Sequence, residues 1–187
     1  MKKDTVVIDV DGCLNHYPDP LKMWAEVTLN LDQLESRQAI KKNNDFDLLK
    51  STYRHSNILN YLLPRDGASS VIKKIKKNGY SITMLTSRNP NKNSGIKAIT
   101  ENWLNRYQIP FDSIVFTKDK GGYVKQHEDR IAMVIEDDPN FFDSFEKLDT
   151  KVVAFKNDLT VDIKQAHFHA VSSWREVESL FKRLVIN

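Results

Sequence analysis

The chain of 187 residues has a single cysteine, so no disulfide can form within it. It opens Met1-Lys2-Lys3-Asp4 and passes straight into an apolar strand, with no apolar leader of the secretory kind. No apolar run approaches membrane-spanning length. Internal repeats and low-complexity tracts are absent. Neither sign of charge dominates: the net charge of +3 permits a phosphate-bearing ligand without calling for nucleic acid. These absences predict a cytoplasmic protein with no membrane segment. What is present is ordinary for a globular domain, with 40% hydrophobic and 28% charged residues. The length fits one compact domain with room for an inserted subdomain.

The informative segment is Asp9-Val10-Asp11-Gly12-Cys13, directly after Val6-Val7-Ile8. A β-branched run of that kind reads as a buried parallel strand. Asp9 and Asp11 then fall at its carboxyl end, where open α/β sheets place their ligands. Strand alternation points both side chains the same way. Gly12 permits a tight turn and close approach of a ligand to the backbone. Two carboxylates held together repel unless a cation lies between them. The pattern predicts a hard divalent metal with an anionic substrate beside it.

Strands and helices alternate along the rest of the chain. A helix is predicted over 68–77, ending at Asn78-Gly79, and a strand over 80–85 that ends at Thr86-Ser87-Arg88. A helix over about 94–107, a strand over 114–116 and a polar loop over 117–122 follow. Strands over 131–135 and 152–155, a short strand over 167–171 and a closing helix over 174–184 complete the pattern. It predicts an α/β fold with a doubly wound parallel sheet. Residues 17–64 read as a small helical insertion, with helical spacing at Leu21, Trp24 and Ala25 and again at Ile58, Leu59 and Leu62. Lys41 to Asp45 reads as a loop within it.

Four strand ends therefore carry polar groups in a fixed order: Asp9 and Asp11, Thr86 and Ser87, Lys118 and Lys120, Asp137 and Asp138. In a parallel sheet these ends meet along one edge. Carboxylates there can hold magnesium, while a hydroxyl, backbone amides and a lysine hold a phosphate against it.

This ordered set resembles the haloacid dehalogenase (HAD) superfamily of phosphotransferases. Asp9-Val10-Asp11-Gly12 is similar to its first motif, Thr86 to its second, Lys120 to its third and Asp137-Asp138 to its fourth. The resemblance covers about 6–155. It implies a Rossmann-like HAD core of residues 1–16 and 65–187, with 17–64 as a helical cap. It also implies that Asp9 is the nucleophile and Asp11 the acid–base. Magnesium would be held by Asp9, the Asp11 backbone carbonyl and Asp137, with Asp138 holding a metal-bound water. Thr86, Ser87, Arg88 and Lys120 would bind phosphate. An acid two residues beyond the nucleophile points, by resemblance, to phosphate-ester hydrolysis. The small 5′(3′)-deoxyribonucleotidase-like members are the most similar in flavour, so a nucleoside 5′-monophosphate is the expected substrate. Rival expectations are a phosphatase on nucleic-acid 3′ ends and a catalytically silent binding protein on the same fold.

Several residues carry two readings. The long stretch before Asp137 leaves Lys118, Lys120 and Lys125 as candidates for the phosphate-binding lysine. Cys13 is read as a packing residue, with a nucleophile the alternative. His167 and His169 are read as surface residues rather than metal ligands. Lys73 to Lys77 is a solvated helix face or a nucleic-acid contact. Asp137-Asp138 can instead cap a helix at Pro139. Tyr17 and Trp24 either pack helices or stack on a base. Arg88 binds phosphate or pairs with a nearby acid.

Overall fold

A computed structural model of the chain describes residues 3–29, 46–156 and 168–186. Its centre is a six-stranded, fully parallel sheet. The strands are β1 (Thr5–Ile8), β2 (Ser81–Thr86), β3 (Ser113–Phe116), β4 (Ile131–Glu136), β5 (Lys151–Phe155) and β6 (Phe168–Val171), in the order β3-β2-β1-β4-β5-β6. Strand order reverses at β1, which lies between β2 and β4. A crevice for ligands opens at such a reversal, outside the carboxyl ends of the strands.

The strands are apolar because both faces are covered. Val6, Ile8, Met84, Ile135 and Phe155 pack into the larger core layer. Helices α3 (Ala68–Lys77), α4 (Ile96–Arg106) and α7 (Trp174–Phe181) complete that layer with Ile72, Trp103 and Trp174. Val7, Leu85, Val134 and Val152 face the opposite way, toward α5 (Lys120–Gln126) and the single turn α6 (Phe142–Phe145), whose Val124 and Phe145 are fully buried. The alternation places Asp9, two residues beyond Val7, on the side of α5.

Most elements match their predicted ranges within one or two residues. Helix α3 stops where Gly79 adopts a φ of 86°, a left-handed conformation that suits glycine. The segment 117–122, read as a loop, contains the start of α5: Asp119 caps it by accepting a hydrogen bond from the Gly122 amide at 2.8 Å. The closing helix is regular only to Phe181 and continues as a wider turn over Lys182–Ile186.

Between β1 and α3 lie α1 (Asp19–Leu29) and α2 (Phe46–His55), then a tight turn at Asn57–Asn60. Ile58, Leu59 and Leu62 therefore mark a turn, and the second helix lies before them, with Leu49 and Tyr53 buried one turn apart. The loop expected at 41–45 lies outside the described residues. The chain leaves and re-enters the sheet at one stem, where Asn15 and Pro64 form an isolated antiparallel bridge. Trp103 Nε1 donates to the Leu62 carbonyl at 2.8 Å and Trp174 Nε1 to that of Cys13 at 2.9 Å, tying the stem to the core. Among the described residues no helix is long and apolar enough to cross a membrane.

Candidate active site

The chain leaving β1 is fixed before any ligand is considered. The Asp9 amide donates to the Ile135 carbonyl at 2.9 Å and so prolongs the ladder with β4. Gly12 then turns the chain with a φ of 94°. A Cβ there would collide with the Asp137 carboxylate, so only glycine lets the turn after β1 and the turn after β4 meet. Asn15, fully buried, braces the loop from within: its Oδ1 accepts from the amides of Gly12 at 3.2 Å and Tyr17 at 2.9 Å. Its Nδ2 donates to Asp11 Oδ1 at 3.0 Å. Arg65 Nε closes the stem by donating to the Gly12 carbonyl at 2.7 Å.

Four strand ends meet there as the sequence order implies. Lys120, at the start of α5, is buried with its Nζ 2.7 Å from Asp9 Oδ1 and 2.6 Å from Glu136 Oε2. Glu136 Oε1 accepts from the amides of Asp137 and Asp138, each at 3.1 Å. One buried carboxylate thus orders both the lysine and the acidic turn. The opposite side is held by Arg88, whose Nε and Nη2 donate to the two oxygens of Asp11 at 2.9 and 2.7 Å. Its Nη1 donates to Thr100 Oγ1 at 2.9 Å. Arg88 thus pairs with an acid while also lining the cavity. Thr86 is buried, and its hydroxyl oxygen accepts from the Arg88 amide at 3.2 Å.

These groups floor a cavity of about 380 Å³. Asp9, Asp11, Ser87, Arg88, Lys120, Asp137 and Asp138 line it, and Thr86 does not. Lys118 and Lys125 are exposed and lie outside the lining, whereas Lys120 lines the cavity. The outer wall comes from Tyr17 just before α1, from α2 with Tyr53 and Arg54, and from the loop after β2 with Lys92.

The electrostatics follow from burial. Burial raises the Asp9 carboxyl above its ordinary range, although Lys120 opposes this. Asp137 is raised well above, first by burial and then by Asp9 and Glu136. Glu136 is pushed up to about 7, first by burial and then by Asp9. Burial would lower the Lys120 ammonium, but its two carboxylate partners reverse this and raise it. Asp11 behaves differently. Burial would raise it, yet the Arg88 guanidinium and the hydrogen bonds of Arg88 and Asn15 hold it at about 2.

The donor set fits a hard divalent cation. Ligand atoms of Asp9, Asp137 and Cys13 lie within 4.8 Å of one another, the metal-capable group among the described residues. Three carboxylates, Asp9, Glu136 and Asp137, surround one ammonium, so when ionised the cluster carries two negative charges in excess. Carboxylate oxygens suit magnesium, and a thiol does not. Burial raises the Cys13 thiol well above its ordinary range, and its neighbouring carboxylates add to this. Cys13 therefore serves as a packing residue and not as a thiolate.

Other readings also resolve. Asp138 caps the turn Pro139–Phe141 by accepting from the Asn140 amide at 3.1 Å, and it lines the cavity as well. Trp24 stacks edge-on against Tyr53 at 5.9 Å between ring centroids, and so packs helices; Tyr17 reaches the cavity. Lys74 and Lys76 pair with Glu178 and Asp112, and a solvated face accounts for the lysine run. His167 lies outside the described residues. His169, half-buried in β6, belongs to no metal-capable group among them.

Asn15, Arg65, Glu136 and Tyr53 were not singled out in the sequence. An acid ending the otherwise apolar strand 131–136 was a usable signal for Glu136. A short amide side chain just after an Asp-x-Asp-Gly turn was one for Asn15.

No family model matches the sequence and no curated protein matches it. Solved structures do match in fold. A predicted phosphatase from Clostridium acetobutylicum superposes with a TM-score of 0.69 at 15% identity, covering 98% of this chain and 100% of that one. The HAD-family protein YfnB of Bacillus subtilis, bound to magnesium, gives 0.64 at 14%, covering 96% and 99%. CbbY of Rhodobacter sphaeroides, in complex with phosphate, gives 0.64 at 14%, covering 95% and 96%. At these identities the likeness is one of fold: the chain has the HAD-type α/β fold.

Proposed function

We propose that the protein is a magnesium-dependent phosphomonoester hydrolase that works through an aspartyl-phosphate on Asp9, with a nucleoside 5′-monophosphate the first substrate class to test. The observation that carries this reading is the placement of the Asp9 carboxylate. It lies on the cavity floor, against Lys120 at 2.7 Å and beside Asp137, with Asp11 two residues away. A carboxylate is a competent nucleophile toward phosphorus when neighbouring charge offsets its repulsion from the phosphate. The magnesium and phosphate in the YfnB and CbbY structures support the reading.

Asp9, Asp137 and the Asp11 backbone carbonyl would hold magnesium, with Asp138 on a bound water. When bound, magnesium polarises the phosphoryl group and offsets charge between it and Asp9. The chain's own groups supply the rest. Asp9 attacks phosphorus, and the leaving oxygen departs with a proton from Asp11. Asp11 then takes a proton from the water that cleaves the aspartyl-phosphate. Lys120 stays on the phosphoryl oxygens and Asp9, and Glu136 keeps it there. The Ser87 amide would bind a remaining oxygen, and the buried Thr86 braces that loop by accepting from the Arg88 amide. A phosphoryl group arriving beside Arg88 competes with Asp11 for its two donors. Asp11, released, then has room to carry a proton.

Residues 17–64 act as a cap that covers the leaving group and excludes water. The setting is cytoplasmic, where the buried Cys13 thiol stays reduced. A phosphate-release screen over nucleotides, sugar phosphates and a small aryl phosphate tests the reading, with magnesium and after chelation. Magnesium-dependent release supports it. Full activity in excess chelator, or no release from any phosphomonoester, overturns it.

A further inference from the structure

Two features of the outer wall have no use in the chemistry described so far. The first is Tyr53. Its ring is buried to 1% exposure, yet its hydroxyl has no hydrogen-bond partner. Leaving a buried hydroxyl unpaired is destabilising, so a native protein rarely tolerates it without return. Tyr53 lines the cavity on the side of Asp11, whose charge contributes to raising its phenol after burial itself. The hydroxyl therefore keeps its proton and is a donor in search of an acceptor.

The second is a pair of cations. Arg54 follows Tyr53 on α2, and Lys92 lies in the loop after β2; both line the same cavity. Among the described residues neither has a carboxylate partner, whereas Arg88 and Lys120 on the floor are both paired. The two segments are locked together, because Asn93 Nδ2 donates to the Arg54 carbonyl at 2.7 Å. Arg54 is near enough to Asp11 to add to the lowering of its carboxyl. If Asp11 serves the leaving oxygen as proposed above, Tyr53 and Arg54, which interact electrostatically with Asp11, are placed for the leaving group, and Lys92 is joined to them through the Asn93–Arg54 hydrogen bond.

We propose that the leaving group of the substrate carries a second anionic group, a phosphate or a carboxylate, bound between Arg54 and Lys92, with the Tyr53 hydroxyl donating to an oxygen of that same leaving group. The inference rests on the phosphatase reading of the site and narrows its substrate. A nucleoside 5′-monophosphate lacks the second anion, and a nucleoside 3′,5′-bisphosphate has it. Sugar bisphosphates and phosphorylated hydroxy acids have it too.

The test compares matched pairs on the full chain with magnesium. The pairs are nucleoside 3′,5′-bisphosphate against 5′-monophosphate, sugar bisphosphate against sugar monophosphate, and phosphorylated hydroxy acid against the matching phosphorylated alcohol. The pair with the largest gain identifies the source of the anion. In that pair the second anion is expected to raise kcat/KM about tenfold or more, the scale of one hydrogen bond to a charged group. Arg54→Ala and Lys92→Ala should each shrink the ratio within the pair, whatever they do to either rate alone. Tyr53→Phe separates function from packing. It should lower kcat/KM while leaving Tm unchanged or raised, because it removes an unpaired hydroxyl; a fall in Tm instead would make that hydroxyl structural and overturn its assignment. Hydrolysis of a small aryl phosphate with no gain in any pair, or a gain that survives both alanine variants, overturns the inference alone. Absence of all phosphatase activity overturns the reading beneath it as well.

Discussion

The floor and the outer wall of the cavity are built on different principles. On the floor the charged groups hold one another: Lys120 between Asp9 and Glu136, and Arg88 across both oxygens of Asp11. On the outer wall the Tyr53 hydroxyl is unpaired, and Arg54 and Lys92 have no carboxylate among the described residues. A floor that satisfies itself has its geometry whatever the substrate is. An outer wall with unmet donors is completed by what binds. On the proposed function, the difference separates groups assigned to the chemistry from groups assigned to choice of leaving group.

The comparison breaks most visibly at the floor. Asp9→Asn should abolish phosphate release, since an amide cannot attack phosphorus and is a poorer metal ligand. Release close to the parent rate would move the nucleophile elsewhere. Asp11→Asn should lower turnover of poor-leaving-group substrates by about 10²–10⁴-fold, the usual contribution of a general acid–base group. An aryl phosphate needs little protonation, so its first step should lose less. Steady-state rates on both substrates check this.

Lys120→Met leaves Asp9 and Glu136 buried without their cation. Breaking a buried ion pair in this way costs about 3–5 kcal/mol. Denaturant unfolding should show a loss of that order near neutral pH, and a smaller one in acid, where the carboxyls are protonated. Equal losses at both pH values would show that the lysine matters only for packing.

The same cluster predicts a pH dependence in the metal-free protein. Asp9, Glu136 and Asp137 all hold their protons more tightly folded than unfolded. Such groups stabilise the fold below their unfolded pKa, and that contribution is lost as pH rises through the folded values. With Glu136 at about 7, Tm in chelator should fall as pH rises from about 5 to about 8. Magnesium should restore it more at the alkaline end, since it binds the ionised cluster. A magnesium effect equal across that range would remove the cation from among these carboxylates.

The smallest effects fall on the outer wall and on the residue packed behind it. Trp24→Ala should cost about 1–3 kcal/mol of stability, because Trp24 packs on Tyr53 and does not line the cavity. Tyr17→Phe, on the lining, should instead change relative rates among substrates with little change in Tm. The reverse pattern would exchange the two roles.

What the sequence showed and what it hid divide along the same boundary. Asp9, Asp11, Arg88, Lys120 and Asp137 were legible because each follows or closes an apolar strand, and a parallel sheet gathers its strand ends on one edge. Strand periodicity needs no tertiary knowledge. Glu136 carries a local sign, an acid closing an apolar strand, but only the fold shows its carboxylate turned back onto Lys120. The outer wall was illegible for a different reason. Tyr53 lies one turn from Leu49 and reads as helix packing, which it also is. Nothing local says that Asn93, almost forty residues later, fastens to the Arg54 carbonyl and brings Lys92 alongside. The helix at 46–55 is masked in the sequence by Ile58, Leu59 and Leu62, which mimic helical spacing across a single turn.

On the proposed mechanism Asp9 becomes covalently phosphorylated and Asp11 clears it. The direct measurement is acid-quench mass spectrometry of Asp11→Asn during turnover of an aryl phosphate with magnesium. Dephosphorylation should become limiting, so the peptide carrying Asp9 should gain the mass of one phosphoryl group. That adduct should be absent from Asp9→Asn and from samples without magnesium. Continued turnover by Asp11→Asn with no adduct on the Asp9 peptide, or an adduct on another residue, would contradict it.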